Sequence, residues 1–396
     1  MRICHVTPHL PPEQAANALL PFHLGRWARP AGSEVRFITH PPRQEETWRL
    51  ERVELPGEVV WVPTERSSSA LRRRLRLDAL ADARAIIRLA GPVIDASDLV
   101  HIHSNGLLAE ICAWLAARRR KPVVLTLYGT EIWHYRPRRP LDLFTRAYRQ
   151  ASHVTFYSQG LMRRAIELGL ARREVSVIYP PVADEFLDEH RRLSALEARE
   201  RLGLHCGHVI VNVKRLHPLA GQRHLIQAMG DVIRRFPDSR LIICGTGSEL
   251  ADLKAVARSS GVEGHVTFAG LVDNATVARY NMAADVFVLP SLLEACPTVA
   301  LEALACGTPV VSSDNPGGVE LHDLFGLDVA VVPRENVVAL AEAIAAVLET
   351  RRRARPETVR TLRRDYTAEA VGARFSALYE KVLQGDPAVS DEAVST

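Results

Sequence analysis

Two glutamates eight positions apart, Glu294 and Glu302, have the residue type and spacing that most clearly indicate chemistry in this chain. Both lie in the segment SLLEACPTVALEALACGTPVVSSD. The short apolar run before it, ADVFVLPS, predicts a buried parallel strand that ends near Leu289. Carboxylates accept hydrogen bonds from hydroxyl groups. The pair therefore predicts a binding site for a ligand with several hydroxyl groups, located beyond a strand end.

A helix is predicted to start between the two glutamates. Pro297 suits its first position, since the N–H that proline lacks would be unpaired there anyway. A helix over 297–305 would leave free N–H groups at Thr298 and Val299, where the helix dipole favours a phosphate. One carboxylate would then precede the helix and the other would lie in its second turn, on either side of a diphosphate. The segment predicts a nucleotide-sugar site.

Six further motifs match one family in order and spacing. With the Glu-x7-Glu pair they make the chain resemble the retaining glycosyltransferases of the GT-B fold, specifically family four, over most of residues 1–345. The motifs are LVHIHSNG (99–106), VVLTLYGTEIWHY (123–135), VIYPPVADEF (177–186), VNVKRLHPLAGQRHLIQAM (211–229), LIICGTGSELADL (241–253) and HVTFAGLVDNATVARYNMAADVFVLPS (265–291).

The resemblance implies a function and a donor site. It implies a metal-independent, retaining, hexosyltransferase-type enzyme that moves a sugar from a nucleoside-diphosphate sugar to an acceptor hydroxyl or amine. Glu294 would hold the sugar's outer hydroxyls, Arg215 the diphosphate and Glu302 the ribose, with Tyr128 near the reacting sugar. The other predicted donor-binding residues are Lys214, Gly245, Gly247, Cys296, Pro297, Thr298 and Val299, and Gly317 and Gly318 are expected to bring backbone amides close to the sugar.

Two positions depart from the family pattern. Ala220 stands where the family has a second cation for the diphosphate, and Lys214, Arg223 and His217 are candidates to replace it. Tyr128 stands where many members have a histidine. These departures leave open a non-catalytic relative that binds a nucleotide sugar. A GT-B nucleotide-sugar epimerase, and a phosphorylase or synthase with a free sugar as acceptor, are further alternatives.

The acceptor is predicted to contact residues of the first half of the chain. The candidates are Asn17, in the loop PPEQAANALLP where the family often has a Gly-Gly pair, then His103 and Asn105 at the end of a strand, and Glu131. For Glu131 the alternative is a carboxylate that stabilises a helix start. We expect His101 and His103 to face opposite sides of their strand, and His101 to be as suited to a structural role as to a functional one.

Alternating strand and helix patterns predict an α/β fold with two Rossmann-like, doubly wound parallel sheets facing across a cleft. The first series of strands is expected at 2–6, 34–39, 98–103, 122–127, 153–157 and 174–178. The second is expected near 209 and at 240–244, 265–268, 285–289, 309–312 and 328–332. We predict an acceptor domain over 1–190, a donor domain over 191–365, a helix over 366–384 that packs back on the first domain, and a disordered tail over 385–396.

Composition narrows the class of protein. The chain has 396 residues, 47% of them hydrophobic, which suffices for two cores. Six cysteines without a C-x-x-C pair, no signal-peptide pattern and no membrane-span pattern predict a reduced cytoplasmic protein. No Asp-x-Asp and no His/Cys motif at metal spacing appears, so neither a metal nor another cofactor is expected.

The predicted partners are the donor and either a small molecule or a glycan or lipid-linked acceptor, and not nucleic acid. The oligomeric state stays open. Basic residues at 72–76 and 118–121 leave peripheral contact with the inner face of a membrane as an alternative, but a solvated helix face is favoured.

Overall fold

The computed structural model describes residues 1–11, 16–28, 32–42, 54–64, 77–137 and 142–385. The chain divides into two compact units. The first comprises Met1–Tyr179 and the chain from Val371 onward, and the second comprises Pro180–Ala370. Of the loop PPEQAANALLP, the structure describes the first residue and then Ala16 onward. The predicted basic cluster at 72–76 and residues 386–396 of the predicted tail lie outside the described residues.

The first unit contains a sheet of seven parallel strands in the order β3-β2-β1-β4-β5-β6-β7. The order runs outward in both directions from the neighbours β1 and β4, which is the doubly wound arrangement. The strands are β1 (Arg2–Val6), β2 (Glu34–Thr39), β3 (Glu58–Trp61), β4 (Leu99–His103), β5 (Val123–Leu127), β6 (His153–Phe156) and β7 (Val175–Val177).

Among the described residues, helices connect the strands at every crossover except that between β2 and β3, which runs through residues outside the described ranges. These helices are α1 (Ala16–Ala28), α2 (Leu77–Ala96), α3 (Leu107–Arg118), α4 (Thr130–Trp133), α5 (Leu143–Gln150) and α6 (Gln159–Glu167). The terminal helix Ala368–Gln384 returns to the first unit from Val371 onward. It packs closely there, since a Cβ on Gly372 would lie 2.9 Å from the Trp27 ring.

The second unit repeats the arrangement with six parallel strands in the order β10-β9-β8-β11-β12-β13. They are β8 (His208–Val213), β9 (Ser239–Cys244), β10 (Val266–Gly270), β11 (Val286–Leu289), β12 (Val310–Ser313) and β13 (Val329–Val332). All residues of β11 and β12 are buried, which explains why β11 is a continuous apolar run, VFVL, whereas β12 ends in two buried serines.

The helices of the second unit are α7 (Asp184–Leu187), α8 (Ala195–Leu202), α9 (Gln222–Arg235), α10 (Leu250–Ser259), α11 (Asn274–Ala283), α12 (Thr298–Ala305), α13 (Pro316–Phe325), α14 (Val337–Thr350) and α15 (Pro356–Asp365). The terminal helix Ala368–Gln384, which lies mostly in the first unit, is α16. Short 3-10 turns occupy Glu189–Arg191, Pro218–Ala220, Glu263–His265 and Gly326–Asp328. Many helices start with a side-chain cap. For example, Ser194 and Glu197 form a reciprocal capping box at α8.

The predicted fold class, α/β with two Rossmann-like parallel sheets, is confirmed. Each predicted strand exists within two residues of its expected bounds, but β3 and α15 were not predicted. The change of unit falls between Tyr179 and Pro180, upstream of the predicted boundary after residue 190. Residues 180–190 belong to the second unit because α7 packs against α11 and α12 and the Val182 N–H donates to the Tyr366 carbonyl at 2.8 Å.

Candidate active site

In the second sheet the strand order reverses between β8 and β11, and open α/β sheets bind ligands beyond the strand ends at such a reversal. Lys214 directly follows β8, and Glu294 lies on the loop after β11. The Nζ of Lys214 is 2.6 Å from Oε1 of Glu294. Their side chains are 31% and 11% exposed. The structure therefore joins a cation and a carboxylate at the reversal point, where both remain in part accessible.

The loop after β8 lies directly against the glycine-rich loop after β9. The Leu216 N–H donates to the Thr246 carbonyl at 2.9 Å. A Cβ on Gly245 would lie 2.1 Å from the Lys214 carbonyl oxygen, and one on Gly247 would lie 2.1 Å from the Leu216 carbonyl oxygen. Both positions need glycine for this close approach. The two glycines thus fix the backbone that carries Lys214, whatever they contribute to a ligand.

The loop that carries Glu294 is held by the start of α13. The Gly317 N–H donates to the Glu294 carbonyl at 3.0 Å, and a Cβ on Gly317 would lie 2.8 Å from Cδ of Pro297. The Gly318 N–H donates to Oδ1 of Asn315 at 2.9 Å. Both amides are therefore committed within the protein. These hydrogen bonds stabilise the loop, and the approach of the two glycines to a donor sugar stays a prediction.

The helix between the two glutamates starts at Thr298, one residue later than predicted, and Pro297 is its N-cap. The first N–H groups of a helix have no partner within it, so those of Thr298 and Val299 are candidates for a phosphate. Glu302 lies in the second turn and is half-buried. Burial, and then the charge of Glu185, raise its pKa to about 7.

Two other predicted donor residues, Arg215 and Cys296, and the departure at Ala220 differ in accessibility. Arg215 is exposed, and we find no hydrogen bond or ion pair for it with any described residue. Cys296 is half-buried, and burial raises the pKa of its thiol, with the charges of Glu320 and Glu294 adding to the effect. Ala220 is buried at the end of the 3-10 turn Pro218–Ala220. No cation replaces the family's lysine at that position.

The first unit has a cluster of buried histidines beneath its own reversal point, between β1 and β4. His5 pairs in register with His101, and the rings of His101 and His103 have centroids 3.9 Å apart. The prediction that His101 and His103 face opposite sides is wrong, since side chains two residues apart on a strand point to the same face. All three are fully buried, and burial lowers the pKa of each.

Hydrogen bonds satisfy most of this histidine cluster. His5 Nδ1 is 3.0 Å from His103 Nε2, and His103 Nδ1 is 2.7 Å from the Tyr128 hydroxyl. His101 Nδ1 is 2.6 Å from the Tyr379 hydroxyl, and its Nε2 is 2.6 Å from the Thr126 hydroxyl. The four ring nitrogens of His101 and His103 are therefore engaged, while His5 Nε2 has no hydrogen-bond partner among the described residues.

The same three histidines offer ring nitrogens within 4.8 Å of one another, which the sequence did not reveal as a possible metal group. Binding an ion through all three would break a hydrogen bond of His101, since both its nitrogens are in use. The network is satisfied without a metal at that residue. Metal independence of the protein stays a prediction.

Tyr128 and Glu131 join this network at the carboxyl ends of β4 and β5. Ser104, which has a left-handed φ of 77°, donates to Glu131 Oε1 at 2.5 Å. Glu131 Oε2 accepts from the Gly129 N–H at 2.8 Å and the Tyr128 N–H at 3.2 Å. Both carboxylate oxygens are engaged and the residue is buried, which favours the alternative of a carboxylate at a helix start. Burial raises the Tyr128 pKa well above its usual value, so the phenol stays protonated.

Two of the three remaining acceptor candidates are more accessible than Glu131. Asn105 is exposed after β4, and Asn17 is half-buried in α1, where its carbonyl accepts from the Thr7 hydroxyl. His103 is fully buried with both nitrogens engaged, so we assign it to positioning Tyr128. Acceptor contact by Asn17 and Asn105 stays a prediction.

Sequence reasoning missed several residues of these clusters. His5, Tyr379 and Ser104 are among them, since a contact between β1, β4 and the terminal helix depends on strand order and packing. Glu185, which adds to the pKa shift of Glu302, was also missed. The only sequence signal was the pair of polar residues HIH within an otherwise apolar strand.

Three of the four basic residues at 118–121 have partners within the protein. Arg119 pairs with Asp95, the Arg118 guanidinium lies 5.0 Å from the Trp114 ring centroid, and Lys121 Nζ donates to the Ser97 carbonyl at 2.8 Å. These contacts favour an ordinary helix surface. Among the described residues, no helix has the length and apolar character needed to cross a membrane.

Solved structures share this architecture over nearly the whole chain. The Anabaena protein Alr3699/HepE, solved in complex with UDP and glucose, matches with a TM-score of 0.72 at 19% identity, over 96% of this chain and 99% of that one. Sucrose-phosphate synthase from Thermosynechococcus elongatus matches with a TM-score of 0.71 at 19% identity, over 97% and 99%. At these identities the likeness shows the fold alone, which is GT-B.

Two family models match successive parts of the chain. The model described as Glycosyltransferase Family 4 matches residues 22–186, and the model described as Glycosyl transferases group 1 matches residues 197–363. Together these matches support a GT-B glycosyltransferase.

Curated relatives of the GT-B protein carry glycosyltransferase names. A GDP-mannose-dependent alpha-(1-6)-phosphatidylinositol monomannoside mannosyltransferase of Mycolicibacterium smegmatis is 37% identical over 163 residues, 39% of this chain and 42% of that relative. The chain thus matches less than half of that relative's length. The 2-deoxystreptamine glucosyltransferase of Streptomyces kanamyceticus is 26% identical over 267 residues, 64% of this chain and 68% of the relative.

Proposed function

We propose that this protein is a retaining glycosyltransferase that moves a sugar from a nucleoside-diphosphate sugar to an acceptor hydroxyl or amine. The observation that carries the proposal is the Lys214–Glu294 pair at the reversal point of the second sheet, next to the start of α12. A cation, a carboxylate and free helix N–H groups at one strand edge suit a ligand that has both phosphates and hydroxyls.

The donor would be divided among these groups. Its diphosphate would lie against Arg215, Lys214 and the first-turn N–H groups of α12, because each of them favours negative charge. Glu294 would accept hydrogen bonds from the sugar hydroxyls. Glu302, in the second turn of α12, would accept those of the ribose. The supporting relatives are a mannosyltransferase dependent on GDP-mannose and a neighbour solved with UDP and glucose, so the base stays open.

The chemical step would depend on stabilising the leaving diphosphate. Arg215 is exposed and has no protein partner among the described residues, so it is available to a phosphate. Preorganised donors of this kind stabilise charge that develops during bond breaking. We propose a front-side route, in which the departing phosphate helps to deprotonate the acceptor, with Tyr128 contributing its neutral hydroxyl or its backbone. The proposal includes no metal and no other cofactor.

The class of acceptor is proposed only broadly, as a small natural-product or cell-envelope intermediate. Relatives are named for both kinds. One is a 2-deoxystreptamine glucosyltransferase, and others are a phosphatidylinositol monomannoside mannosyltransferase and a putative teichuronic acid biosynthesis glycosyltransferase. Asn17 and Asn105 are the accessible residues that we assign to acceptor contact.

A second candidate function is a non-catalytic relative that binds a nucleotide sugar. The buried Ala220 favours it, because one family cation is absent from the diphosphate site. The charged groups Lys214, Glu294 and Arg215 argue for a working donor site. An epimerase is a further candidate, which product analysis would separate because it needs no acceptor.

Calorimetry with UDP, GDP, dTDP and ADP tests the donor site without knowledge of the acceptor. We expect one nucleotide to bind with micromolar affinity and the Glu302→Ala variant to bind it more weakly. Glu342 is exposed in α14, and Glu342→Ala is the matched control, which should bind the nucleotide like wild type. Binding of none of the four would contradict the proposal.

Reaction products then test the chemistry. The selected nucleotide sugar is incubated with pooled acceptors, and NMR of the product reports the anomeric configuration. Retention supports the proposal, and inversion would remove it. An altered nucleotide sugar formed without an acceptor would identify an epimerase, and donor binding without turnover would favour the non-catalytic relative.

A further inference from the structure

We infer that the Lys214–Glu294 ion pair is an exchangeable contact that makes the site hold a nucleotide sugar more tightly than the nucleoside diphosphate left after transfer. The inference rests on the proposed donor site. In this structure the two side chains neutralise each other, with Nζ of Lys214 and Oε1 of Glu294 2.6 Å apart. An arriving diphosphate takes Lys214, and the freed Glu294 binds sugar hydroxyls. Once the sugar has left, Glu294 lacks a partner and competes again for Lys214.

The pair is built into the fold on both sides. The Lys214 N–H donates to the Cys244 carbonyl at 3.0 Å, and Gln222 Nε2 donates to the Lys214 carbonyl at 3.3 Å. The Glu294 carbonyl accepts from Gly317 at 3.0 Å. Both backbones are therefore fixed, and only the side chains need to move for the exchange.

Among the described residues, Lys214 is the one cation that pairs with Glu294. Ala220 is 3% exposed in its 3-10 turn, and its methyl group offers no charge. Arg215 is the next residue after Lys214, but it forms no ion pair with any described residue, and its guanidinium is exposed. Lys214 thus supplies the second cation of the site, and it does so while already bound to the carboxylate expected to hold the sugar.

Charge decides the direction of the exchange. A diphosphate carries more negative charge than one carboxylate and presents several oxygens, so it wins Lys214. Glu294 is only 11% exposed, and a carboxylate with little access to water loses free energy when its ionic partner leaves. Sugar hydroxyls compensate for that loss, whereas a bare nucleoside diphosphate does not.

The test is calorimetric binding of UDP, UDP-glucose, GDP and GDP-mannose to wild type and to three variants. Glu294→Gln leaves Lys214 without its carboxylate, so we expect the nucleoside diphosphate to bind about tenfold more tightly, while the advantage of the nucleotide sugar shrinks. Lys214→Met should weaken both ligands at least about tenfold. Lys254→Met, an exposed lysine of α10, is the matched control and should change neither.

Other outcomes overturn the inference in distinguishable ways. If Glu294→Gln does not tighten the nucleoside diphosphate, or if Lys214→Met binds like Lys254→Met, the exchange is wrong while the donor site stands. If wild type binds none of the four ligands, the proposed function fails as well. Lys214→Arg keeps the charge and should retain most of the affinity, and its circular dichroism and that of Lys214→Met check folding. Weak binding by the arginine variant with an intact fold would count against a charge-based exchange.

Discussion

Each of the two sheets has a polar cluster at the point where its strand order reverses, and the two clusters differ in kind. In the first unit, His5, His101 and His103 are fully buried and hydrogen-bonded to neighbouring side chains. In the second, Lys214 and Glu294 carry charge and remain partly accessible. The same topology therefore supports a neutral, largely hydrogen-bonded network in one unit and an ionic pair available to a ligand in the other.

Burial explains the difference. A charged group that loses water must find a strong partner or become neutral, and the histidines become neutral because burial lowers their pKa. Glu302 shows the opposite response in the second unit, since burial raises the pKa of a carboxyl to about 7. The two regions should therefore respond to pH with opposite signs.

The largest expected effect is acid destabilisation of the first unit. A histidine whose pKa is lower in the folded state binds a proton on unfolding once the pH falls below about 6.5. The stability that it contributes is therefore present above that pH and is lost as the pH falls toward its folded pKa, which is about 3 for His5. Each of the three contributes about 1.4 kcal/mol per pH unit. We expect a loss of about 4 kcal/mol between pH 7.5 and 5.5.

Tryptophan fluorescence during urea unfolding measures this loss in the first unit, because all five tryptophans lie before Tyr179. His5→Phe removes one of the three groups and should reduce the pH dependence by about a third. Replacement of the exposed His134 by asparagine is the control. An unchanged pH dependence in the His5 variant would show that the cluster does not govern acid stability.

The second effect is the reverse pH dependence of Glu302. Because its folded pKa is raised, the stability it contributes is present below about pH 4.5 and is lost as the pH rises through about 7. Glu302→Gln should therefore stabilise α12 at pH 8 by about 2 kcal/mol, with little gain at pH 5. The same variant should bind nucleotide more weakly, so stability and affinity change in opposite directions.

Hydrogen exchange of peptides covering 298–305 measures this change. Wild type and variant are compared at one pH, so intrinsic exchange rates cancel. Glu302→Asp, which keeps a carboxylate, should show less stabilisation at pH 8. Equal protection of wild type and Glu302→Gln at pH 8 would contradict the burial argument.

The third effect concerns the glycine that supports the Lys214 segment. Gly247→Ala would place a Cβ only 2.1 Å from the Leu216 carbonyl oxygen, which is a steric clash. We expect the substitution to lower the free energy of unfolding by about 1 to 3 kcal/mol. Nucleotide affinity should fall with it, because the loop that carries Lys214 must shift. Gly230→Ala in α9 meets no atom within 4 Å and should stabilise the helix by about 0.5 to 1 kcal/mol. Similar unfolding midpoints for the two variants would refute the close approach.

The smallest effect separates Tyr128 from the donor site. Tyr128→Phe removes the hydroxyl 2.7 Å from His103 Nδ1, and a buried ring nitrogen left unpaired costs about 1 to 2 kcal/mol. We expect lower stability of the first unit by tryptophan fluorescence but unchanged nucleotide affinity. Tyr157→Phe, which keeps the T-shaped ring contact with Tyr128, is the comparison variant. A large loss of nucleotide affinity in Tyr128→Phe would instead place this residue at the donor.

The sequence predicted the fold and the glutamate segment of the second unit much better than the histidine cluster of the first unit. A strand such as β11 was predictable because fully buried parallel strands are typically continuous apolar runs. Short β3 and helix α15 lacked that pattern. The segment with Glu294, Glu302 and the helix start is local in sequence, so its geometry followed from strand, loop and helix signals alone.

By itself the amino-acid sequence determined the α/β class, the order of elements and the loops that carry Glu294, Arg215 and the glycines, since each follows from local periodicity and turn chemistry. Only the tertiary structure decided that Lys214 pairs with Glu294, that His5 meets His103, and that Glu131 is engaged rather than free. Ser104 and Glu131 are 27 positions apart, and His5 and His103 are 98 positions apart. Lys214 and Glu294 follow β8 and β11, which are neighbours in the sheet but not in the chain. Strand order and burial set such pairings, and neither is visible in a local pattern.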